Sequence, residues 1–498
     1  MAAARHQSPS VPGPIPERAL RRAALAAVIL IVVLLAGRLW WLPGHASHNI
    51  NEGWNAGHLA RAVGAGSLYP APDALIANNY PPLSFGIVAL VNAAVGDAIV
   101  AGRIVSLLSQ IAVGAAVFAA VARLTGERRW AVAGALLFAG FGVTLLRPYL
   151  AMDDPQWLGQ AIMTGALVLL VPKHAGDRVT TGAVVAAAAL CVAGGLVKHN
   201  LVAIPAAATV WLLIVDRRAA WLWVGTGLVL AAGACAVLYA IWGGAVFADV
   251  LAPARSYSAV RMAAHGVPLL LAVVPGLFAA RPLLRAWRAD LRLLLPLLLL
   301  GVAVPTAILQ RSGDGVDINA TFETMLALTI AVPAGCALRG ADAWRWLGLA
   351  ALPALVLVPV AAMTDARELT GRDAAVRHWQ PFITAVAAAR GPVACDDQAV
   401  CHWAGRLSAL DFFAMKQRLL KGDVPRLRAA LDRGDFALIA MRSENRGWHE
   451  NRIIPLIRAH YRTVYAEGGY ELLVPRYSAT SAASRFAMAS GSVSDPRR

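Results

Sequence analysis

Acidic residues are scarce along the first 360 residues of this chain, and three of them stand where they could do chemistry. Glu52 lies in Asn51-Glu52-Gly53-Trp54-Asn55, just beyond the first long apolar run. Asp153 and Asp154 lie in Met152-Asp153-Asp154-Pro155, in the next loop expected on the same side of a membrane. A carboxylate beside lipid is costly to keep, so it is a functional candidate by default. Glu52 suits a general base that takes the proton of an acceptor hydroxyl, which then attacks a sugar. The competing reading is an acid in the first turn of a helix, favoured by the helix dipole. Asp153 and Asp154 could orient that acceptor, stabilise charge, or hold a divalent cation together with Glu52. Asp154-Pro155 also reads as a helix start with proline at the first position. On that reading Asp154 is the cap and Asp153 the functional acid.

Cations gather on the same expected side. Lys198 and His199 close an apolar run, and a lysine there suits the phosphate of a lipid-linked donor as a point charge; the alternative is snorkelling to the interface. Arg147, Arg255, Arg261 and Arg311 also fall in outer loops, where positive charge is disfavoured. Together these residues suggest a phosphate or pyrophosphate ligand. No nucleotide-binding glycine loop and no zincin motif occurs, so an outward-facing enzyme would draw on a lipid-carried donor. Asn319-Ala320-Thr321 matches a glycosylation sequon but sits at a membrane boundary and is set aside.

Composition says what must position these groups. The 498 residues are 58% hydrophobic and 15% charged, far less charge than a soluble chain carries. Apolar runs of spanning length recur from residue 23 to residue 363. Arg-rich loops alternate with loops bearing acids or histidine, which gives about eleven transmembrane helices. The same rule predicts a cytoplasmic N-terminus and an extracytoplasmic C-terminus. The net charge of +16 is read as these topology signals and not as a nucleic-acid surface. Preference for Ala and Arg over Lys suits a GC-rich bacterial genome and hence a bacterial inner membrane.

Four parts are expected. Residues 1–20 are a disordered cytoplasmic N-terminus. Residues 21–363 form the transmembrane catalytic domain, whose first outer loop, 43–97, carries interfacial helices at 52–64 and 83–95. Residues 364–476 form a small extracytoplasmic α/β domain. In it, strands are predicted at Val393–Cys395 and Phe436–Met441 and a hairpin over Tyr461–Tyr465 and Tyr470–Val474. Helices are predicted at 372–389, 412–433 and 449–460. Residues 477–498 are a disordered tail. Cys395 and Cys401 are spaced for a disulfide in an oxidising compartment.

The pattern resembles the GT-C glycosyltransferases, specifically the family 39-like branch of protein mannosyltransferases and lipid A aminoarabinose transferases. The residues that carry the resemblance span roughly 20–220. They are Asn51-Glu52-Gly53-Trp54-Asn55, Gly66-Ser67-Leu68-Tyr69-Pro70, Asn79-Tyr80-Pro81-Pro82-Leu83, Gly102-Arg103, Met152-Asp153-Asp154-Pro155 and Val197-Lys198-His199-Asn200. In that family the first outer loop holds an essential acid, often as an Asp or an Asp-Glu pair. Here the pair is Asn51-Glu52, so the resemblance passes the role to Glu52, with Asp153 or Asp154 as the second acid. The outer-side cations Lys198, His199, Arg255, Arg261 and Arg311 are the candidates for donor-phosphate contact, and Asn51, Trp54, Asn55, Tyr80 and Asn200 are the candidates for substrate contact. The expected function is transfer of a sugar from a polyprenyl-phosphate donor to an extracytoplasmic lipid, polysaccharide or protein. A membrane-lipid environment is expected, and sugar, acceptor, metal and oligomeric state stay open. A lipid-linked sugar flippase and a non-catalytic envelope assembly factor are the alternatives. Polar groups at one face, instead of mid-membrane, favour the enzyme.

Overall fold

The structure is a computed structural model that describes residues 17–251, 255–422, 424–443 and 452–476. Of the stretch 1–20 expected to be disordered, residues 17–20 are instead the first turn of α1, and the rest of it, like the tail after Arg476, lies outside these residues. The helices of the first half are α1 (Glu17–Trp41), α2 (Ile50–Ala60), α3 (Leu83–Val95), α4 (Ala98–Thr125), α5 (Arg128–Val143), α6 (Gln156–Leu170), α7 (Thr181–Val197), α8 (Ala203–Val215) and α9 (Arg217–Trp242). Then come α10 (Ala245–Leu251), α11 (Ala259–Ala280), α12 (Leu283–Ala286), α13 (Leu294–Gln310), α14 (Phe322–Ala337) and α15 (Ala343–Ala388). Each of the eleven apolar segments predicted to span is helical. Among the described residues, seven helices are long and apolar enough to cross a membrane. The shorter apolar helices are α3, α6, α7 and α8. The chain is a multi-pass membrane protein.

Helix starts follow local chemistry. Asp97 and Asp216 cap α4 and α9 by accepting backbone N–H groups of the first turn, as N-cap acids do. The start of α8 has no such residue. Instead Glu323, from the first turn of α14, accepts hydrogen bonds from the N–H groups of Val202, Ala203 and Ile204 at 2.9–3.3 Å. A carboxylate supplied by a neighbouring helix thus satisfies donors that lipid could not.

The expected boundary at 363/364 falls inside α15, which runs unbroken for 46 residues. The reason is a buried charge cluster past the boundary. Arg147 donates to Asp365 and Glu368 of α15 at 3.1 and 2.6 Å. Arg38 pairs with Glu368 at 3.2 Å. These contacts hold the C-terminal stretch of α15 against the bundle. Arg147 therefore needs no external anion, contrary to the sequence expectation.

Beyond α15 lie β1 (Val393–Cys395), α16 (Gln398–Trp403), α17 (Phe412–Lys421), α18 (Pro425–Arg433), β2 (Leu438–Arg442), α19 (Ile453–His460), β3 (Tyr461–Glu467) and β4 (Tyr470–Pro475). The sheet order is β1-β2-β4-β3, with β1 parallel to β2 and the other pairs antiparallel. Alternate residues serve two cores. Leu438 and Ala440 face Phe382 and Val386 of α15, whereas Ile439 and Met441 face Leu427 and Ile457. The helix predicted over 412–433 is two helices. Cys395 and Cys401 form the anticipated disulfide, with their Cα atoms 6.0 Å apart.

This domain is locked onto the segment between α1 and α4. Helix α16 lies so close to α2 that a Cβ at Gly53 would stand 1.8 Å from the Ala399 nitrogen. Asp97 accepts the Trp403 indole N–H at 3.1 Å and lies 3.6 Å from His402. Burial alone would raise the Asp97 carboxyl, but hydrogen bonds from His402, the Val100 N–H and the Trp403 indole hold it well below the usual range. A carboxyl depressed by folding stabilises above its unfolded value of ~3.9 and loses that contribution as pH falls below it. Thermal stability is therefore expected to decline from about pH 4 downward. Asp97→Asn should flatten that decline in a melting series across pH, and an unchanged acid limb would remove Asp97 as its source.

Candidate active site

A cavity of about 340 Å³ lies between the first outer loop and the C-terminal domain. Its wall contains Asn51 and Trp54 of α2, Tyr80, Asp249 of α10, Arg255, and Asp396, Asp411, Lys416, Arg418 and Arg442 of the C-terminal domain. Aromatic faces, acids and cations around one cleft suit a sugar and a phosphate together. Trp54 anchors the arrangement. Its indole donates to Asp411 at 3.0 Å, and its ring packs on Tyr80 with centroids 4.9 Å apart.

Glu52 is not on that wall. It is fully buried against Arg103, which donates from Nε to Oε1 at 2.8 Å and from Nη2 to Oε2 at 2.7 Å. The His48 N–H donates to Oε2 at 2.8 Å and the Asp153 N–H to Oε1 at 3.2 Å. Arg103 spends its remaining N–H groups on the carbonyls of Leu42, Gly44 and Ala46. This is a bidentate clamp that folds the first outer loop, and it corrects the expectation of a general base. Both oxygens are engaged, so no face is left for a hydroxyl. Neighbouring residues on a helix point about 100° apart. Here Asn51 takes the cavity side and Glu52 the inner side.

Asp153 packs over Gly102, where a Cβ would stand 2.0 Å from its Oδ1. Burial, then Glu52 and Asp154, push its carboxyl well above the usual range. Asn55 donates to the Asp153 carbonyl at 2.7 Å, so it too is structural. Asp154 accepts the Gln156 N–H at 2.8 Å, which makes it the cap expected before α6. Lys198 lies 3.6 Å from Asp154 and 3.6 Å above the Tyr80 ring. It supports Tyr80 from behind and does not line the cavity. The three acids expected to share a divalent cation do not converge, since Glu52 is already clamped by Arg103. Among the described residues no group of three or more His, Cys, Asp or Glu could hold a metal ion.

Three further expected contacts are redirected. Arg261 donates to the carbonyls of Ser312 and Ser256, where the two outer loops run alongside each other. Arg311 meets His265 at 3.1 Å. Asn200 and Gln310 form a reciprocal pair at 3.0 Å. Neither these residues nor the exposed His199 reach the cavity wall. Of the expected residues, Asn51, Trp54, Tyr80 and Arg255 do.

The acids that do line the cavity were missed. Asp396 is held by Arg442 at 2.6 and 3.2 Å. Asp411 caps α17 and takes the Trp54 indole. Asp249 is different. Its Oδ2 accepts the Asn78 N–H at 3.2 Å, and its Oδ1 has no hydrogen-bond partner among the described residues. Burial raises the Asp249 carboxyl above its ordinary value, with the Asn78 N–H and Arg418 opposing and Asp411 assisting. The available signal was a lone acid inside Ala245-Val246-Phe247-Ala248-Asp249-Val250-Leu251. Among the cations, Lys416 pairs with Asp314 at 2.7 Å and Arg418 donates to the Ala74 carbonyl at 2.7 Å. Arg255 makes no hydrogen bond to any described residue, and its guanidinium lies 5.9 Å from the Phe413 ring.

No protein-family model matches the chain, and no curated protein sequence matches it. Solved structures do. The crystal structure of ArnT from Cupriavidus metallidurans bound to undecaprenyl phosphate is similar at a TM-score of 0.60 and 14% identity. That match covers 93% of this chain and 99% of that chain. The apo state of the same protein gives 0.57 at 14% identity, over 92% and 97%. The Archaeoglobus fulgidus oligosaccharyltransferase in its apo form gives 0.52 at 11% identity, over 88% and 73%. The chain has the GT-C glycosyltransferase fold. The match to ArnT spans both the membrane bundle and the C-terminal domain, so both walls of the cavity belong to this GT-C fold.

Proposed function

We propose that the protein is a membrane glycosyltransferase that moves a sugar from a polyprenyl-phosphate donor to an extracytoplasmic acceptor. The observation that carries this reading is the cavity in which Asp249 and Arg255 each keep polar atoms that no described residue engages, beside the aromatic wall of Trp54 and Tyr80. The fold shared with a protein bound to undecaprenyl phosphate supports the donor class. Asp249 takes the proton from the acceptor hydroxyl. The hydroxyl oxygen then bonds to the anomeric carbon from the face opposite the phosphate. The bond from that carbon to the phosphate oxygen breaks, and polyprenyl phosphate leaves. Arg255 stabilises its charge as it forms.

In the same reading the helices from α1 into α15 are the catalytic membrane domain, and the C-terminal domain closes the site on the outer side of a bacterial inner membrane. Reporter fusions after residue 290 and after residue 400 are expected to report opposite sides. If both report one side, the orientation is wrong. The activity itself is tested with purified protein and a panel of undecaprenyl-phosphate sugars, scored by release of undecaprenyl phosphate with an envelope lipid extract as acceptor. A lipid comparison of a deletion strain with its parent should show an accumulated polyprenyl-phosphate sugar or a missing envelope sugar. No release with any donor, and no change in the strain, would overturn the reading.

A further inference from the structure

A second, larger space opens at the opposite end of the molecule. It is a groove of about 1180 Å³ bounded by α1, α5 and α15, above the roughly 300–1,000 Å³ that houses drug-sized ligands. Its walls are aliphatic: Ala27 and Ile31 from α1, Leu136 from α5, and Leu347 and Leu355 from α15. Two glycines widen it, because a Cβ at Gly140 or Gly348 would meet no atom within 4 Å. Toward the cavity side the helices close on one another through Leu34, Val143, Leu150 and Ala361. Toward the other end the groove stays open and is rimmed by Arg21, Arg128, Arg129, Glu17 and Glu127.

We propose that this groove is a binding site for a phospholipid with an anionic head group. Water has too few polar partners along these walls to fill the space, and the groove runs beside α1, a candidate membrane span, so acyl chains are the available filling. Charge at the rim selects the head group. Three guanidinium groups face two carboxylates. Arg21 pairs with Glu17 at 2.7 Å and Arg129 with Glu127 at 2.6 Å, all largely exposed. Such pairs are weak and exchangeable. Arg128 has no ion pair among the described residues and is exposed. Guanidinium groups bind phosphate in bidentate fashion, so a phosphodiester at the rim satisfies charge that the protein leaves over. The site is separate from the proposed donor site, since Arg21 lies about 30 Å along α1 from Trp41. It does not depend on the catalytic reading.

The test uses the full-length protein in detergent, exchanged with phosphatidylglycerol or with phosphatidylcholine, and native mass spectrometry to count retained lipid. Wild type is expected to retain phosphatidylglycerol over phosphatidylcholine. The Arg21→Ala/Arg128→Ala/Arg129→Ala variant should lose about tenfold of that preference. Gly140→Leu/Gly348→Leu projects side chains into the groove from positions where a Cβ meets nothing within 4 Å, and it should lower retention of both lipids while keeping the melting temperature. Equal retention of the two lipids by wild type would overturn the proposal, as would a triple variant that keeps the preference. Displacement of phosphatidylglycerol from wild type by undecaprenyl phosphate, absent from the filled-groove variant, would likewise overturn it, assigning the groove to the donor's own chain.

Discussion

Asp249→Asn is expected to lower turnover about 100- to 10,000-fold, the range for loss of a general base, while leaving affinity for the donor nearly unchanged. The amide keeps the size of the carboxylate and can still accept the Asn78 N–H. It cannot take a proton. Because burial raises the Asp249 carboxyl, wild-type rate should rise with pH through that raised value as the carboxylate forms. The acidic limb of the profile should vanish in the variant. A purely structural role would lower stability and leave the shape of the profile alone. The cavity offers a second readout. Asn51 lines the same cavity wall as Asp249 and is the amide of an acid of the same length. Asn51→Asp placed in the Asp249→Asn background should therefore restore part of the rate. Near-wild-type turnover by Asp249→Asn, measured with a donor that wild type uses, would remove it as the base without touching the assignment of the reaction.

Arg103 should give the largest loss of stability. Arg103→Met leaves Glu52 fully buried with no countercharge, and breaking a buried pair in this way costs about 3–5 kcal/mol. It also strips donors from the carbonyls of Leu42, Gly44 and Ala46, which arrange the chain between α1 and α2. Arg103→Lys should not rescue, because an ammonium cannot fork to both Glu52 oxygens and the carbonyls together. Replacing both partners, as Arg103→Met/Glu52→Leu, should recover part of the loss, since the uncompensated charge is then gone. Glu52→Gln should likewise act mainly through stability. Fluorescence-detected size exclusion and melting in detergent would measure these effects. A monodisperse Arg103→Met protein with wild-type melting would show that the clamp contributes little.

The sequence by itself determined the elements. Hydropathy marked the eleven long apolar segments that are helical, because lipid demands internally satisfied backbone and so writes long apolar runs into the chain; the short α10 was not among them. The apolar run Phe436–Met441 and the hairpin split by Glu467-Gly468-Gly469 were legible, because a short apolar run and a glycine turn are local signals. The cap at Asp154 was legible for the same reason. What only the tertiary structure decided is which charged groups meet. Arg103 finds Glu52 51 residues away, Arg147 finds Asp365 218 residues away, and Trp54 finds Asp411 357 residues away. No local pattern encodes those pairings. A rotation of one residue on α2 also decides which member of Asn51-Glu52 faces the cavity, and a motif of adjacent letters carries no such angle. The uncommitted acid therefore came to light on α10, outside the motif that first pointed to the site, because the fold consumes Glu52 to build the loop that forms its wall.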